Sequence, residues 1–543
     1  MEQPTDLKDF LNKRLSSLKQ EQTSFRPHWK EISDWQQPRR GRFFLDDVNK
    51  GERRHQNIIN STAGDAYKTS RAGMFNGTHS PSRPWFALET EDPGLMEYQP
   101  IKVWLYDVEQ MIYRILRSGN FYRQSPTLIG ELILFGTGAM TCVDDFDNVA
   151  RFYTHTAGSY YIDQNDKCEI DVLVREVQWT VRQIVKRFGL QNVSPTVKSL
   201  WDSGSYSTWV PIVHFIQPND DYKPSSVLSR FKRFASIYYE PGDNRPNAFL
   251  GRMGFDEFPA FCPRWETTGE DIYGTDCPGM QALGDVKMLQ DMEKRKAQGV
   301  QKQFNPPLHG PAVLKNAMVS ALPGGLTTYD SGDKQGLRPI YEVQPQLADM
   351  RADMKETEQR IKSAFNVHLF RAISDIEGIQ PRNELDLTKR DQERLLELGP
   401  VLEALNGEYL ARVVERVFNM AMRARILPPA PPELDGKPLK IVFISTLAMA
   451  QRSAGVQAIE RVVNFAAAAN AQGVPQAAQK IDWYQTMDEY ARASGAPPRM
   501  IVSDEVIAQQ NAAAEQAAQE EKLAAAAETG SSVVKNLASA APR

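Results

Sequence analysis

The run Asp144-Asp145-Phe146-Asp147 offers carboxylates that a divalent cation could use, but it lacks the alternating spacing of an EF-hand loop and reads instead as a solvated hairpin turn. The four cysteines (Cys142, Cys168, Cys262 and Cys277) include no C-x-x-C pair, and Cys262 and Cys277 lie near His309 in sequence only. Neither a zinc site nor a disulfide framework is expected from them. Gly436-Lys437 is followed by Pro438 and has no upstream glycine at phosphate-loop spacing, so no Walker-type nucleotide site is read. None of the 7 histidines precedes a glutamate, which removes H-E-x-x-H, and no G-x-S-x-G elbow occurs. Gly136-Thr137-Gly138 is a lone G-x-G, read as a turn between helix and strand. The expectation is a chain that is not an enzyme and holds no cofactor.

The elements around these residues belong to a large folded protein. At 543 residues the chain exceeds what one core supports, so two to four structural units are expected. Hydrophobic residues make up 41%, charged 24% and aromatic 9%, a composition that argues against wholesale disorder. A net charge of −4 excludes a strongly basic nucleic-acid clamp, though not a protein past which DNA slides. The N-terminal Met1-Glu2-Gln3-Pro4 has no signal-peptide character and no run of 18 apolar residues occurs, so a soluble protein made in the cytoplasm, with no membrane partner, is expected.

Apolar periodicity predicts a helix stripe through Leu7, Leu11, Leu15, Leu18, Phe25, Trp29 and Ile32, interrupted by Pro27, with Ser24 capping a second helix. Further helices are expected from Asn57 to Phe75, stopping at Asn76-Gly77, and from Ile101 to Arg117. Strands are expected at Trp85–Leu88, Ala139–Val143, Ser159–Ile162, Ile170–Val177, Val210–Ile216, Phe234–Tyr239 and Phe249–Met253, with a helix Thr180–Phe188 among them. A helix from Pro278 to Gln303, a Gly/Pro-rich excursion and a helix from Pro345 to Phe365 follow. In the second of these, Leu347, Met350, Met354, Thr357, Ile361 and Ala364 form a packing seam. A long helix from Thr388 to Leu427, about 58 Å at 1.5 Å per residue, is expected to kink at Gly399-Pro400. A lone strand Leu439–Ser445 and further helices to about Gly495 come next, then an Ala/Glu/Gln-rich tail. The class is α+β, mostly helical, with antiparallel strands.

Several segments together resemble the portal, or head-to-tail connector, family of short-tailed double-stranded DNA bacteriophages. They are Arg26-Pro27-His28-Trp29, Ser80-Pro81-Ser82-Arg83-Pro84-Trp85-Phe86, Glu257-Phe258-Pro259-Ala260-Phe261-Cys262-Pro263-Arg264-Trp265, Ile272-Tyr273-Gly274 with Ala282-Leu283-Gly284-Asp285-Val286-Lys287, Leu398-Gly399-Pro400-Val401, and Ile444 to Arg452 with Asp482 to Tyr490. Their order spans about residues 10 to 510. The resemblance implies a ring, usually of twelve subunits, with a wing over 1–277, a first stem helix over 278–303, a clip over 304–344 and a second stem helix over 345–365. It further implies a tunnel loop over 366–388, a kinked wing-to-crown helix over 389–427, a crown over 428–505, and an Ala-rich tail over 506–543, helical or disordered. It implies a place in the virion at one capsid vertex, after assembly in the host cytoplasm. The implied partners are double-stranded DNA in passage, the terminase packaging ATPase, major capsid and scaffolding proteins, and tail adaptors.

Charge bears on that role. Residues 280–303 carry five cations (Lys287, Lys294, Arg295, Lys296, Lys302) against three anions, and residues 346–365 carry four of each. A surface that neutralises many phosphates binds tightly and salt-dependently, which would stall translocation. Lys294, Arg295, Lys296 and Lys302, then Arg371 and Arg382, are the expected DNA-channel contacts; a solvated or intersubunit salt-bridged face is the plainer reading of the same residues. The clip's Leu314, Lys315, Met318, Leu322, Lys334 and Arg338 are expected to dock the packaging ATPase and then the tail. Leu347, Met350, Met354 and Ile361 are expected to pack the stem. The competing readings are a metal-dependent nucleic-acid-processing enzyme using Asp144, Asp145 and Asp147, and a helical scaffold without a DNA role.

Overall fold

The computed structural model describes residues 7–43, 54–96, 98–304, 308–309, 338–339, 347–371, 398–434, 437–444 and 462–466, with a few isolated residues beyond. The elements in chain order are α1 (Leu7–Glu21), α2 (Phe25–Gln36), α3 (Thr62–His79), β1 (Phe86–Thr90), α4 (Gln99–Ser118), α5 (Phe121–Phe135), β2 (Ala139–Asp145), β3 (Val149–His155), β4 (Tyr160–Gln164) and β5 (Ile170–Thr180). There follow α6 (Val181–Phe188), α7 (Pro195–Asp202), β6 (Trp209–Pro218), β7 (Phe234–Tyr239), β8 (Gly251–Phe255), β9 (Ala260–Phe261), α8 (Pro278–Gln281) and α9 (Leu283–Phe304). Last come β10 (Leu308–His309), β11 (Arg338–Pro339), α10 (Leu347–Ala364), α11 (Gly399–Leu405), a π-helical turn (Asn406–Leu410), α12 (Ala411–Arg423) and β12 (Leu439–Phe443). The chain forms two compact units, Met1–Gly77 with Gly119–Arg416, and Thr78–Ser118 with Val417–Arg543.

In the first unit β4-β5-β6-β7-β8 form one antiparallel sheet and β3-β2-β9 another. Leu11, Leu15 and Leu18 of α1 cover one face of the larger sheet, against Val172, Val174, Val213, Phe215 and Ile237. Val181 and Ile184 of α6 and Val197 of α7 cover the other, against Ile212 and Tyr238. Successive strand residues point to opposite faces, so a sheet covered on both sides reads as the nearly unbroken apolar runs of β6 and β7. Thr180 caps α6 through a capping box with Gln183, and Gly189 ends it. Ser24 occupies the N-cap of α2 but makes no cap bond; the carbonyl of Gln22 already accepts from the N–H groups of Phe25 and Arg26.

Two expectations are corrected and another falls partly outside the described residues. First, α3 does not stop at Asn76-Gly77 but runs to His79; earlier in the same helix a Cβ on Gly73 would clash with Phe370, so that glycine permits close packing. Second, the described helix opens at Gly399-Pro400, with Pro400 in its first turn, where proline is tolerated; the expected helix over 388–397, and with it the expected kink, lies outside the described residues. Within the described helix a π turn buries Tyr409 and turns its hydroxyl to Ser125 Oγ at 2.8 Å. Third, the Leu439 strand is not alone: β12 pairs antiparallel with β1 in the second unit, Leu88 opposite Ile441. There Trp85 stacks on Phe443 and the Tyr113 hydroxyl accepts from the N–H groups of Trp85 and Phe86.

Candidate functional site

The helix pair α9 and α10 carries most of the singled-out residues. Leu283, Val286 and Leu289 of α9 are buried, and so are Met354, Thr357 and Ile361 of α10, on the predicted seam. Met350 is half-buried; Leu347 begins α10, and its side chain lies outside the described residues. Beyond the apolar seam the pair is joined by polar groups that periodicity does not reveal. Gln290, 3% exposed, accepts at Oε1 from the N–H groups of Ile59 and Asn60 (2.7 and 2.8 Å) and donates from Nε2 to the Asn60 carbonyl (2.9 Å). Asn60 Nδ2 donates to Glu293 on α9 (3.3 Å) and to Glu358 on α10 (3.1 Å). The short segment before α3 therefore ties both helices together. The only sequence signal for this node is a glutamine at a core-facing position of an otherwise amphipathic helix.

Five of the nine cations on these helices are paired with carboxylates within the chain, Lys362 with Glu358 among them. Arg295 pairs with Asp291 at 2.7 Å and Lys296 with Glu293 at 2.6 Å, each along its own helix, and Lys287 with Glu31 of α2. Arg360 bridges the pair by bonding Asp285 at 3.1 Å as well as Glu356 at 3.0 Å, and these hydrogen bonds push its pKa further up. Lys294 and Lys302 are exposed and have no ion-pair partner among the described residues. Of the four expected channel residues on α9, two are thus free and two are paired. Exposed pairs of this kind contribute little to stability, but they cancel the field a phosphate would meet.

At the outer end of the pair the chain leaves and returns through β10 and β11, Leu308 opposite Pro339 and His309 opposite Arg338. Leu314, Lys315, Met318, Leu322 and Lys334 lie outside the described residues, as do Arg382 and all of 372–397; only the backbone pairing of Arg338 is placed. Past α10, residues 367–371 are helical, with Val367, Leu369 and Phe370 buried and Arg371 exposed. The start of the segment expected to be a tunnel loop is thereby anchored against α3 through Phe370 and Gly73.

Elsewhere the expected absence of an active site can be set against particular groups. Among the described residues no group of three or more His, Cys, Asp or Glu is placed to hold a metal ion. Asp145 of the acidic run is engaged by Arg151 at 2.9 Å. Burial pushes the Cys142 and Cys277 thiols up to about 12 and Cys262 also upward, the opposite of what a reactive thiolate needs. Among the described residues no helix is long and apolar enough to cross a membrane.

A family model described as "Bacteriophage head to tail connecting protein" matches residues 8–502. The chain belongs to that family, whose members are structural parts of the phage particle. It is 42% identical over 500 residues to the portal protein of Salmonella phage epsilon15, covering 92% of this chain and 89% of that one. To the probable portal protein of Bordetella phage BPP-1 it is 39% identical over 505 residues, covering 92% and 90%. One solved structure, the neck of an empty GTA particle computed with C6 symmetry, aligns with 12% identity and a TM-score of 0.35 over 79% of this chain and 93% of that one; a likeness this slight does not bear on the fold.

Proposed function

We propose that copies of this chain, twelve as is usual for portals, close into a ring at one capsid vertex, and that double-stranded DNA enters and leaves the head through its lumen. In this reading residues 1–277 are wing, α9 and α10 are stem, 304–344 are clip, 366–388 are tunnel loop, 389–427 lead from wing to crown, and 428–505 are crown. The clip receives the packaging ATPase (terminase) during filling and the tail adaptor afterwards, while capsid and scaffolding proteins surround the wing. The chain is a conduit and not an enzyme, and ATP hydrolysis belongs to its partner.

The observation that carries this reading is the α9–α10 pair, two helices followed and preceded by the paired strands β10 and β11, with five of their nine cations paired to carboxylates. Affinity for duplex rises with the number of phosphates neutralised, and so does its salt dependence. A wall with Lys294 and Lys302 as its unpaired α9 cations touches DNA without holding it. The test is negative-stain imaging of the purified full chain, with annular particles and an axial hole as the expected result. Solid or monomeric particles would remove the proposal.

A further inference from the structure

Two exposed features of the first unit are opposite in charge and each carries an apolar tip. The first is the β2–β3 turn. Its last register pair is Asp145 with Val149, and Phe146 between them is 108% exposed. The turn is nonetheless fixed: Asp145 accepts from the Arg151 Nε at 3.0 Å and from the Asp147 N–H at 3.4 Å. Val149 sits at φ 68°, a left-handed conformation that a β-branched residue rarely takes. Residues 144–148 carry three aspartates and no cation.

The second feature is the β6–β7 connection, residues 219–233, which carries four cations and two aspartates. It is folded on itself by Asn219, whose Nδ2 donates to the carbonyls of Arg230 (3.0 Å) and Lys232 (2.7 Å). Lys223 and Arg230 flank the Phe231 ring at 4.7 and 4.6 Å, and neither has a carboxylate partner among the described residues. Beside them Val227 is 96% and Leu228 57% exposed. A heterologous contact, the kind that closes a ring, needs two different and complementary patches on one chain, and complementary charge sets its register and orientation.

We infer that the Phe146 turn of one copy docks on the 219–233 loop of the next, the ring seating against Val227 and Leu228 and the aspartates facing Lys223 and Arg230. The occupant is a second copy of this chain, so the inference rests on the ring reading above.

The test uses the full chain carrying Cys168→Ser, since Cys168 is the one exposed thiol among the described residues. Phe146→Ala and Arg230→Glu each raise the concentration for half-assembly by about tenfold, the scale of losing one anchor residue. Asp147→Arg does the same alone, and joined to Arg230→Glu it restores assembly. Adding Phe146→Cys together with Val227→Cys yields, on oxidation, a covalent ladder of multimers that either cysteine alone does not give. If the parent forms rings yet the Phe146→Cys/Val227→Cys variant gives no ladder, and Phe146→Ala assembles at the parental concentration, this contact is wrong and the ring stands. If the parent itself stays monomeric, the ring reading fails and this contact with it.

Discussion

Arg264 shows how much one side chain in this protein can organise. It is 8% exposed, bonds the Glu408 carboxylate at 2.6 Å, and reaches the carbonyls of Cys168 and Asp271 and the amide of Gln164. Glu408→Ala would leave that guanidinium buried without its counter-charge, a loss of about 3–5 kcal/mol, read as a lower urea midpoint; an unchanged midpoint would refute the pairing. The titratable groups of the second unit predict opposite pH effects. Burial holds His79 down at about 3, so the folded state binds its proton less well than the unfolded state. Its share of stability is complete above about 6.5 and drains as pH falls, at about 1.4 kcal/mol per pH unit. His155 and His214 in the first unit, held low by burial and then by Arg175, act in the same direction. Burial pushes Glu109 the other way, up to about 7, while it accepts from the Leu88 N–H at 2.6 Å. Its share is present below about 4.5 and lost as pH rises through 7. Glu109→Gln keeps the acceptor and removes the charge, so calorimetry at pH 8 should show the variant melting above the parent. At this scale the seam residues Met354 and Ile361 were legible from spacing, whereas Gln290 and Asn60 were not, because a polar side chain's partner 230 residues away leaves no local pattern.

At the scale of elements, local signals worked where the chemistry was local. The short helix ending at Phe188 and strand β7 follow from side chains within a few residues of each end. They failed where packing overrode propensity. Helix α5 contains Pro126 and carries no clean stripe, yet nearly all its apolar residues are buried, so its helicity comes from a surround that covers every face. The α9–α10 pair carries the prediction proper to this scale. Met354→Asp places a charge at a position 4% exposed, costing several kcal/mol; circular dichroism should show a lower melting temperature, and imaging should show no rings. Gln290→Ala removes three hydrogen bonds to the 59–60 backbone, each worth about 1 kcal/mol. It should loosen α9 from α3, read as faster amide exchange at Ile59 and Asn60.

For the whole molecule, the property that bears on the proposed conduit is that five of the nine α9–α10 cations are paired with carboxylates. DNA retention by assembled particles should fall by less than tenfold between 50 and 200 mM salt, against the about 10³–10⁵ of a protein gripping six to ten phosphates; a steep slope would contradict a passive lining. Replacing residues 310–337 by a short turn across the β10–β11 pair should leave ring assembly intact and abolish packaging, and normal packaging would remove the docking role of that segment. The amino-acid sequence by itself determined the class of elements, the absence of recognisable catalytic motifs, the buried seam of α10 and the family, because each is written in residue types at short spacing or in their order along the chain. Only the tertiary structure decided that β12 pairs with β1, that Gly73 of α3 packs on Phe370, and that Arg295 and Lys296 are paired while Lys294 and Lys302 are exposed. Those facts depend on which distant residues end up within a few ångströms, a matter of packing that no local pattern encodes.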